Sequence, residues 1–321
     1  MRRSVLYPSL AVLLIAGVYV SIAERPHILL TSTVIHSVHR APQAYTEKNI
    51  QVLVVGDIML DRHIRSVGES KGYEYVFSCV ADTLASYDAV IGNLEGPVTP
   101  YASVSQKSKL GEQSNTQFTF SSEGVSALKM HGFTAVSLGN NHIRDFGREG
   151  AQSTVEALEK EGIAFAGIPQ DAKSISTTMT INSVPLTLIP YNQFLGSTSE
   201  TFSALKDTPP ENIALVFPHW GNEYSVATAY QKELAKQFVD AGADVVVGAH
   251  PHVIQENETI NGVPVFYSLG NFIFDQYWDN DVRTGKGVVL TLNAQGVVGI
   301  EEKFFTLMRD GRTCPREVLS E

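Results

Sequence analysis

The sequence predicts an α/β fold, because short apolar segments rich in valine and isoleucine alternate along the chain with segments of helical periodicity. Such alternation is typical of a domain whose strands are buried and largely parallel. The predicted main strands are residues 50–55, 88–91, 134–138, 213–217 and 244–247. The predicted helices are residues 75–86, 123–131, 148–161 and 227–241. Further strands, of the same sheet or a second one, are predicted at residues 163–166, 185–189, 264–267, 287–292 and 297–304.

The composition is that of an ordinary globular protein. Of the 321 residues, 43% are hydrophobic and 18% are charged, so a sizeable core can form. The formal net charge of -10 argues against a protein that binds nucleic acid or anionic lipid through its own surface field. We therefore expect no nucleic-acid partner, and an anionic substrate would need the help of local cations.

The N-terminus has the pattern of a secretory or membrane-targeting segment. Arg2 and Arg3 precede residues 6–23, an apolar run without a charged residue. A run of about eighteen residues is just long enough to span a bilayer, which favours a retained anchor over residues 1–23. Residues 21–23, Ser-Ile-Ala, also resemble the cleavage site of a signal peptide. The basic flank predicts a single anchor in the cell membrane and a domain outside the cytoplasm, either periplasmic or extracellular.

The remaining chain divides into a tether, one domain and a tail. Residues 24–48 mix polar residues, proline and isolated aliphatic residues without a sustained period, which is typical of a tether. We expect one compact domain over residues 49–308 and a C-terminal tail over residues 309–321. The two cysteines, Cys79 and Cys314, are too few for a disulfide framework or a thiolate metal site. Either one long-range disulfide joins them, or Cys79 is simply buried in a helix.

Each predicted main strand ends in polar residues beside a glycine. These polar residues include Asp57, Glu95, Asn141, His219, His250 and His252. Because the carboxyl ends of strands are where α/β sheets bind ligands, we expect these side chains to lie close together. One polar strand end is common in loops, but five that carry Asp, Glu, Asn and His exceed what packing requires. The six residues are therefore predicted to form a metal site.

The residue types indicate which metal the site prefers. Imidazole, carboxylate and amide ligands together suit a divalent transition metal such as Mn, Zn or Fe, whereas an all-oxygen set suits Mg or Ca. His250 and His252 are one residue apart, so their side chains point to different sides of the chain and can serve two adjacent ions. Two ions can activate a shared water and hold both oxygens of an in-line phosphoryl displacement. We expect one or two ions.

Six segments resemble the signature of a known family in their order and approximate spacing. They are GDIMLDR (56–62), IGNLEGPVT (91–99), SLGNNHIRDFG (137–147), PHWGNEY (218–224), GAHPHVIQ (248–255) and YSLGNFIFD (267–275). The family is that of the capsule-synthesis CapA, or poly-γ-glutamate synthesis, proteins, a branch of the calcineurin-like metallophosphoesterases. The resemblance implies a metallophosphoesterase sandwich, in which two mixed sheets are flanked by helices. It also implies a metal-dependent hydrolase in the synthesis or export of a capsule or poly-γ-glutamate polymer.

The resemblance extends to individual residues. The superfamily carries its metals on a DxH strand end, a GDxx strand end, a GNH, a lone His and a GHxH. The residues that match are Asp57, Asn141, His142, His219, His250 and His252. The match implies that Asn141 is a ligand and that His142 is the acid or the phosphate-orienting residue. A purely supporting role for His142 stays open, because general acid catalysis depends on a substrate pose.

Two positions depart from the superfamily pattern. Met59 stands where DxH has its histidine, and a thioether is a poor ligand for a borderline ion. Asn93 stands where GDxx has its bridging aspartate, although two dications need a shared anion. Glu95 lies two residues later, on the same side of an extended chain. We therefore expect Glu95 to supply the carboxylate, with Asn93 as a neighbour or terminal ligand, and weaker metal binding at Asp57.

Further residues stand beside the predicted ligands. Arg62 and Arg144 either bind a phosphate or carboxylate of the substrate or pair with Asp61 and Asp145. Asn271, in the SLGN segment, is expected to support the histidines. Three aromatic residues either line the cleft or belong to the core, namely Trp220, Tyr224 and Tyr267.

Two functional hypotheses follow. The first is a membrane-anchored hydrolase that acts on a phosphoester or related bond in an anionic surface polymer or its phosphorylated precursor, with membrane polymer-synthase subunits as partners. The second is a non-catalytic subunit that binds or anchors the polymer through its metal. A nuclease is disfavoured by the acidic composition.

Overall fold

A computed structural model describes residues 49–109, 111–171 and 174–316. The predicted targeting segment (1–23) and tether (24–48) lie outside these described residues. Within them, no helix combines the length and the apolar character that crossing a membrane requires.

The described residues form fourteen strands, seven α-helices and one short 3-10 helix. The strands are β1 (Ile50–Ile58), β2 (Ala89–Leu94), β3 (Phe133–Ser137), β4 (Ala164–Ala166), β5 (Thr177–Ile181), β6 (Val184–Asn192), β7 (Ile213–His219), β8 (Val245–Val247), β9 (Asn257–Ile260), β10 (Val263–Phe266), β11 (Asn271–Ile273), β12 (Thr284–Asn293), β13 (Gly296–Leu307) and β14 (Thr313–Pro315). The helices are α1 (Arg62–Lys71), α2 (Tyr73–Phe77), α3 (Ala81–Ala85), α4 (Ser122–Met130), α5 (Gly147–Glu161), α6 (Thr198–Asp207) and α7 (Ala229–Asp240), and the 3-10 helix is Gln113–Thr116.

The strands form two mixed sheets. The first has the order β14-β13-β12-β1-β2-β3-β4, and β11 also pairs with β1. Its β1 to β4 half is parallel, and its β12 to β14 half is antiparallel. The second sheet has the order β5-β6-β7-β8-β10-β9, with parallel pairs at its centre and antiparallel pairs at both ends.

Three apolar clusters define the layers, because successive side chains of a strand point to opposite faces. Ile50, Val52 and Val54 of β1 belong to the cluster that also contains Leu186 and Leu215 of the second sheet, so this core lies between the sheets. The alternate β1 residues pack with helices α1 to α5 on the outer face of the first sheet. The third cluster joins the second sheet to α6 and α7. The predicted α/β fold with two mixed sheets flanked by helices is thus confirmed.

Side-chain caps begin the two helices that flank the site. The Asp61 carboxylate accepts hydrogen bonds from the backbone N–H groups of Arg62 and Thr119, both at 2.8 Å. At α7, Thr228 and Gln231 form a reciprocal capping box. Because these caps satisfy backbone donors of the first helical turn, they define where each helix begins.

The sheets divide the predicted strands differently from the sequence pattern. The second sheet contains two predicted main strands, β7 and β8, together with β6 and β10 from the additional set. The additional strands β12 and β13 instead extend the first sheet. A local alternation of strand and helix predicts parallel neighbours, but it does not say on which sheet a strand lies.

The helix predicted over residues 75–86 is two short helices, α2 and α3, and α1 was not predicted. The break includes Ser78, whose hydroxyl donates to the Tyr75 carbonyl at 2.8 Å and so competes with the helical backbone. Cys79, also in the break, forms a disulfide with Cys314, with a Cα to Cα distance of 4.9 Å. Of the two alternatives for Cys79, the structure therefore shows the long-range disulfide.

Ordered structure continues past the predicted domain boundary at residue 308. Strand β14 pairs with β13 as the edge of the first sheet, and it carries Cys314. The segment therefore belongs to the domain at least as far as the last described residue, 316. Its short length and polar composition hide this strand from a periodicity argument.

Candidate metal centre

The polar strand ends meet at one edge of the sandwich. Asp57 of β1 is level with Asn93 of β2 and with Asn271 of β11 in the strand registers. In the second sheet, His219 at the end of β7 forms a bridge with Ala249, which leads to His250. Both sheets therefore present their strand ends to the same site.

Close backbone packing at this edge depends on glycine. A Cβ atom placed on Gly56 would lie 1.9 Å from the Gly270 carbonyl oxygen. The Asp57 N–H donates to that same carbonyl at 3.1 Å. Only glycine at position 56 allows β1 and the SLGN segment to approach each other, and this approach brings Asn271 beside the histidines.

The site contains a buried carboxylate, Glu95. Its side chain is fully buried, and neither carboxylate oxygen accepts a hydrogen bond from the described residues. Burial, and then the nearby Asp57 carboxylate, raise the pKa of Glu95 well above its usual range. A buried carboxylate without donors is costly unless a cation lies beside it, so its environment fits a metal ligand.

Histidines surround this carboxylate. Glu95, His250 and His252 each offer a ligand atom, and these atoms lie within 4.8 Å of one another. Glu95 Oε1 is 3.6 Å from His219 Nε2 and 3.8 Å from His252 Nε2. The group is buried and combines one carboxylate with imidazoles, a donor set that suits a divalent transition metal.

His219 and His250 are held in the neutral form that metal binding requires. Burial, and then repulsion from His250, lower the pKa of His219 well below its usual range. Burial, and then His252, lower the pKa of His250 to about 4. His250 Nδ1 is buried and has no hydrogen-bond partner within the described part of the chain. This ring nitrogen and the Glu95 carboxylate both lack a hydrogen-bond partner, and a cation would satisfy both groups.

Asn271 orients one of these histidines. Its Oδ1 lies 2.9 Å from His252 Nδ1, and its Nδ2 donates to the His252 and Val282 carbonyls at 3.3 and 3.0 Å. This contact assigns the Nδ1 proton and leaves His252 Nε2, the atom nearer Glu95, as the lone pair. The support predicted for Asn271 therefore has a specific geometry.

Asp57 is partly occupied by hydrogen bonds. Asn93 Nδ2 donates to Asp57 Oδ1 at 2.7 Å, and the His250 backbone N–H donates to Oδ2 at 3.2 Å. The Asn93 amide also lies 3.2 Å from His219 Nδ1, and its Oδ1 accepts from Asn140 at 3.1 Å. Asn93 thus links Asp57, His219 and Asn140 in one buried hydrogen-bond network.

Met59 does not replace the missing ligand. Its side chain is fully buried, and its Sδ atom accepts a hydrogen bond from the Asp61 N–H at 3.0 Å. The thioether therefore stabilises the turn at the start of α1. Asn141, in contrast, places its Oδ1 atom 2.8 Å from His219 Nε2, so these two predicted ligands lie side by side.

His142 stands beside the ligands in a pair with Asp145. Its Nδ1 atom is 2.9 Å from Asp145 Oδ2, which also accepts the Phe118 N–H at 2.7 Å. The His142 ring packs against the Phe118 ring, with 4.3 Å between centroids. The carboxylate and the aromatic ring fix the orientation of the imidazole and leave Nε2 available.

The two arginines have partners other than those expected. Arg62 forms a salt bridge with Asp275 rather than with Asp61, which caps α1. The guanidinium group also lies over the Phe118 and Phe274 rings, at 5.1 and 5.4 Å from their centroids. Arg144 donates to the Pro169 carbonyl, and Asp145 pairs with His142 instead.

Sequence reasoning missed three residues at the site. Asn140 donates to Asn93 and to the Leu94 carbonyl, and Asn192 donates to the Asn140 carbonyl at 2.7 Å. Asp275 holds Arg62. Asn140 is the first Asn of the GNNH segment and Asp275 ends YSLGNFIFD, so both stand within quoted motifs, and that position is the signal for them. Asn192 has no comparable signal.

Comparison with known proteins agrees with this geometry. The model of the bacterial capsule synthesis protein family PGA_cap matches residues 51–209 and 193–276. The chain is 32% identical to the PGA biosynthesis protein CapA of Bacillus subtilis, over 84% of this chain and 72% of that protein. It is also 32% identical to the capsule biosynthesis protein CapA of Bacillus anthracis, over 86% of this chain and 69% of that protein.

The fold has a counterpart among solved structures. The chain resembles a phosphatase of Mycoplasma pneumoniae with a TM-score of 0.51 and 12% identity, over 81% of this chain and 94% of that chain. At this identity the likeness concerns the fold alone, and it confirms the predicted metallophosphoesterase sandwich. The sequence matches extend through the strand ends that build the metal centre, and the chain therefore belongs to the bacterial capsule synthesis protein family PGA_cap.

Proposed function

We propose that this protein is a metal-dependent phosphoesterase-like hydrolase, anchored in the cell membrane with its domain outside the cytoplasm. It would act in the synthesis or export of a poly-γ-glutamate-type surface polymer, on the polymer or a phosphorylated precursor, beside membrane synthase subunits. The observation that carries the proposal is the fully buried Glu95 carboxylate, which lacks hydrogen-bond donors among the described residues and faces neutral histidines.

The residues present fit one or two Mn, Zn or Fe ions. Glu95, His250 and His252 would hold the first ion, and His219 and Asn141 lie next to them. Asp57 would contribute to a second position, weakened because Asn93 already donates to its Oδ1. When bound, such ions polarise a phosphoryl oxygen and lower the pKa of a water molecule.

The protein residues around the ions position and exchange protons. Asp145 holds the proton on His142 Nδ1, so Nε2 can take up a proton from solvent and then give it to a leaving oxygen. Arg62 lies near Glu95 but is neutralised by Asp275, which limits its use as an anion-binding group. The expected anion contact therefore comes mainly from the metal.

The proposal is tested first by metal content. Elemental analysis of the purified full-length protein should give at least about one equivalent of transition metal, and His250→Ala should lose most of it. His63→Ala is the matched control, because His63 lies on α1 and its ring contacts Tyr277 and the Arg309 carbonyl. Wild-type protein with less than half an equivalent would refute the metal centre.

A second experiment tests catalysis. With added Mn, wild-type protein should hydrolyse an aryl phosphate, and His142→Ala should reduce kcat by about 100-fold or more while it retains the metal. His63→Ala should keep the wild-type rate.

The alternative function is a non-catalytic subunit that binds or anchors the polymer through its metal. The observation that favours it is Asn93, a neutral amide at the position of the superfamily's bridging carboxylate, hydrogen-bonded to Asp57. A metal-replete protein without hydrolysis, whose polymer binding survives His142→Ala, would support this alternative instead.

A further inference from the structure

Three exposed aromatic side chains stand around the metal centre. Phe194, Tyr224 and Trp278 are 42%, 47% and 58% exposed. Trp220, from the same PHWGNEY segment as Tyr224, is fully buried and stacks on the buried Tyr267 in the core. Exposure of Tyr224 is therefore not a general property of aromatic residues at these strand ends.

The three exposed rings, here called the aromatic rim, border the metal-binding histidines. The Phe194 ring lies 4.5 Å from the His250 ring, between centroids, and the Tyr224 ring lies 6.0 Å from the His252 ring. Trp278 meets Tyr224 edge to face at 5.7 Å. The rim thus runs from one histidine past the other and away from the centre.

Tyr224 is held in place by residues that adjoin the predicted metal ligands. Its φ of 55° lies in the left-handed region, and its N–H donates to the Pro251 carbonyl at 2.8 Å, between the two histidines. Its hydroxyl accepts a hydrogen bond from Gln276 at 3.0 Å, and Gln276 accepts one from Asn271 at 3.0 Å. Asn271 in turn orients His252. A surface tyrosine without a role would not need this support.

Two carboxylates adjoin the rim in the chain. Glu223 and Asp279, next to Tyr224 and Trp278 in the chain, are exposed carboxylates. Burial, and then the neighbouring Glu223 carboxylate, raise the pKa of the Tyr224 hydroxyl. A ligand segment on the rim is therefore favoured when it is uncharged, and its negative charge is favoured only at the metal.

We propose that Phe194, Tyr224 and Trp278 form a specificity subsite for the ring of a phosphomonoester whose phosphoryl group binds at the metal centre. This inference rests on the proposed function and refines it, because it selects a ring-bearing phosphorylated precursor over the polyanionic polymer as the ligand. Aromatic side chains bind flat ring faces by stacking, and this holds for a nucleobase or a sugar ring.

Binding of two phosphonates, which are not hydrolysed, tests the inference without a need for turnover. Calorimetry on the Mn-loaded full-length protein should show that phenylphosphonate binds about tenfold more tightly than methylphosphonate. Tyr224→Ala and Trp278→Ala should each remove most of this preference, and Trp278→Ala, whose ring contacts Tyr224, should leave the methylphosphonate Kd within about twofold. Ile300→Ala is the control, because Ile300 of β13 is 42% exposed, like Phe194, and lies outside the rim.

The outcomes separate this inference from the proposed function. Equal binding of the two phosphonates, or a preference that survives both rim substitutions, overturns the subsite even if aryl phosphate is hydrolysed. If neither phosphonate binds the metal-loaded protein, the anion site of the proposed function fails as well. Competition identifies the source of the ring: displacement of phenylphosphonate by a nucleoside monophosphate or by a sugar phosphate supports the subsite. Displacement by poly-γ-glutamate alone overturns it.

Discussion

Asn93 donates a hydrogen bond of 2.7 Å from its Nδ2 atom to Asp57 Oδ1, at the position that the sequence resemblance matches to the bridging aspartate of the metallophosphoesterases. The donor occupies the oxygen that a second metal ion would otherwise share. Because an amide is neutral, the arrangement stabilises the Asp57 carboxylate in the absence of metal. The same contact therefore favours the folded protein without metal and would weaken the second metal position proposed above.

Replacing Asn93 with aspartate should destabilise the metal-free protein and strengthen metal binding. In Asn93→Asp the hydrogen bond is lost, and a second carboxylate faces Asp57, so we expect the metal-free protein to lose about 1–3 kcal/mol of unfolding free energy. Metal content should rise by up to about one equivalent, because two dications then share an anion. Chemical denaturation in chelator and elemental analysis measure the two effects. Unchanged metal content in a folded variant would contradict this role of Asn93.

Removing the charge at Glu95 should stabilise the metal-free protein and weaken metal binding. Glu95→Gln replaces a buried carboxylate that lacks donors in the described structure with a neutral group of the same shape. We expect the apo protein to gain about 1–2 kcal/mol of unfolding free energy at neutral pH. We also expect metal affinity to fall at least about tenfold.

Thermal unfolding with and without chelator measures both quantities for Glu95→Gln. A control for Glu95→Gln must be a side chain without a structural role, which excludes Gln231 because it caps α7. An exposed carboxylate on α5, Glu156→Gln, provides the comparison, and it should change neither quantity by more than about 0.5 kcal/mol. A destabilised apo Glu95→Gln protein would show that Glu95 has partners that the structure does not reveal.

The sequence predicts the ends of the strands better than their assembly. The polar residues at the carboxyl ends of β1, β2, β3, β7 and β8 meet because strand ends in α/β folds converge, which is a rule of topology. The division of these strands between two sheets depends on the faces that Ile50, Val52 and Val54 present to Leu186 and Leu215. That choice is made by packing over long sequence separations, and local periodicity does not contain it.

The partners of side chains in the site also depend on contacts between distant parts of the chain, which the local sequence does not contain. Arg62 was expected either to bind a substrate anion or to pair with Asp61 or Asp145, and it pairs with Asp275, which is 213 positions away. Asp61 instead caps α1, which the sequence did not predict. Asn93 could be recognised as a departure from the superfamily, whereas its hydrogen bonds to Asp57 and Asn140 require three strands to be in register.

The disulfide should stabilise the edge of the first sheet. Cys79 and Cys314 are 235 residues apart, so the bond closes a long loop between the α2–α3 break and β14. In the double variant Cys79→Ser and Cys314→Ser, we expect a loss of about 2–4 kcal/mol in unfolding free energy, with unchanged metal content. Urea denaturation of wild-type protein with and without reductant, beside the variant, gives this difference. If reductant lowered the stability of the double variant as well, the effect would not come from this bond.

Protonation of His250 should make the metal-free protein unstable in mild acid. The folded-state pKa of about 4 lies below the usual 6.5, so between these values the unfolded chain binds a proton that the folded protein does not. Stability is then complete above pH 6.5 and falls as the pH drops toward 4, by up to about 3 kcal/mol. The raised pKa of Glu95 acts with the opposite sign, because there the folded state binds the extra proton.

The contribution of His250 is therefore measured as a difference between two proteins. Urea midpoints in chelator, taken from pH 7 to pH 4, should fall more steeply for wild type than for His250→Gln, which keeps a polar side chain but cannot titrate. His63→Gln, at an exposed position on α1, should follow wild type. The same protonation removes the lone pairs that bind metal, so metal release should occur in this pH range too. Parallel curves for wild type and His250→Gln would mean that His250 titrates normally in the folded protein, and its burial beside Glu95 would then need another explanation.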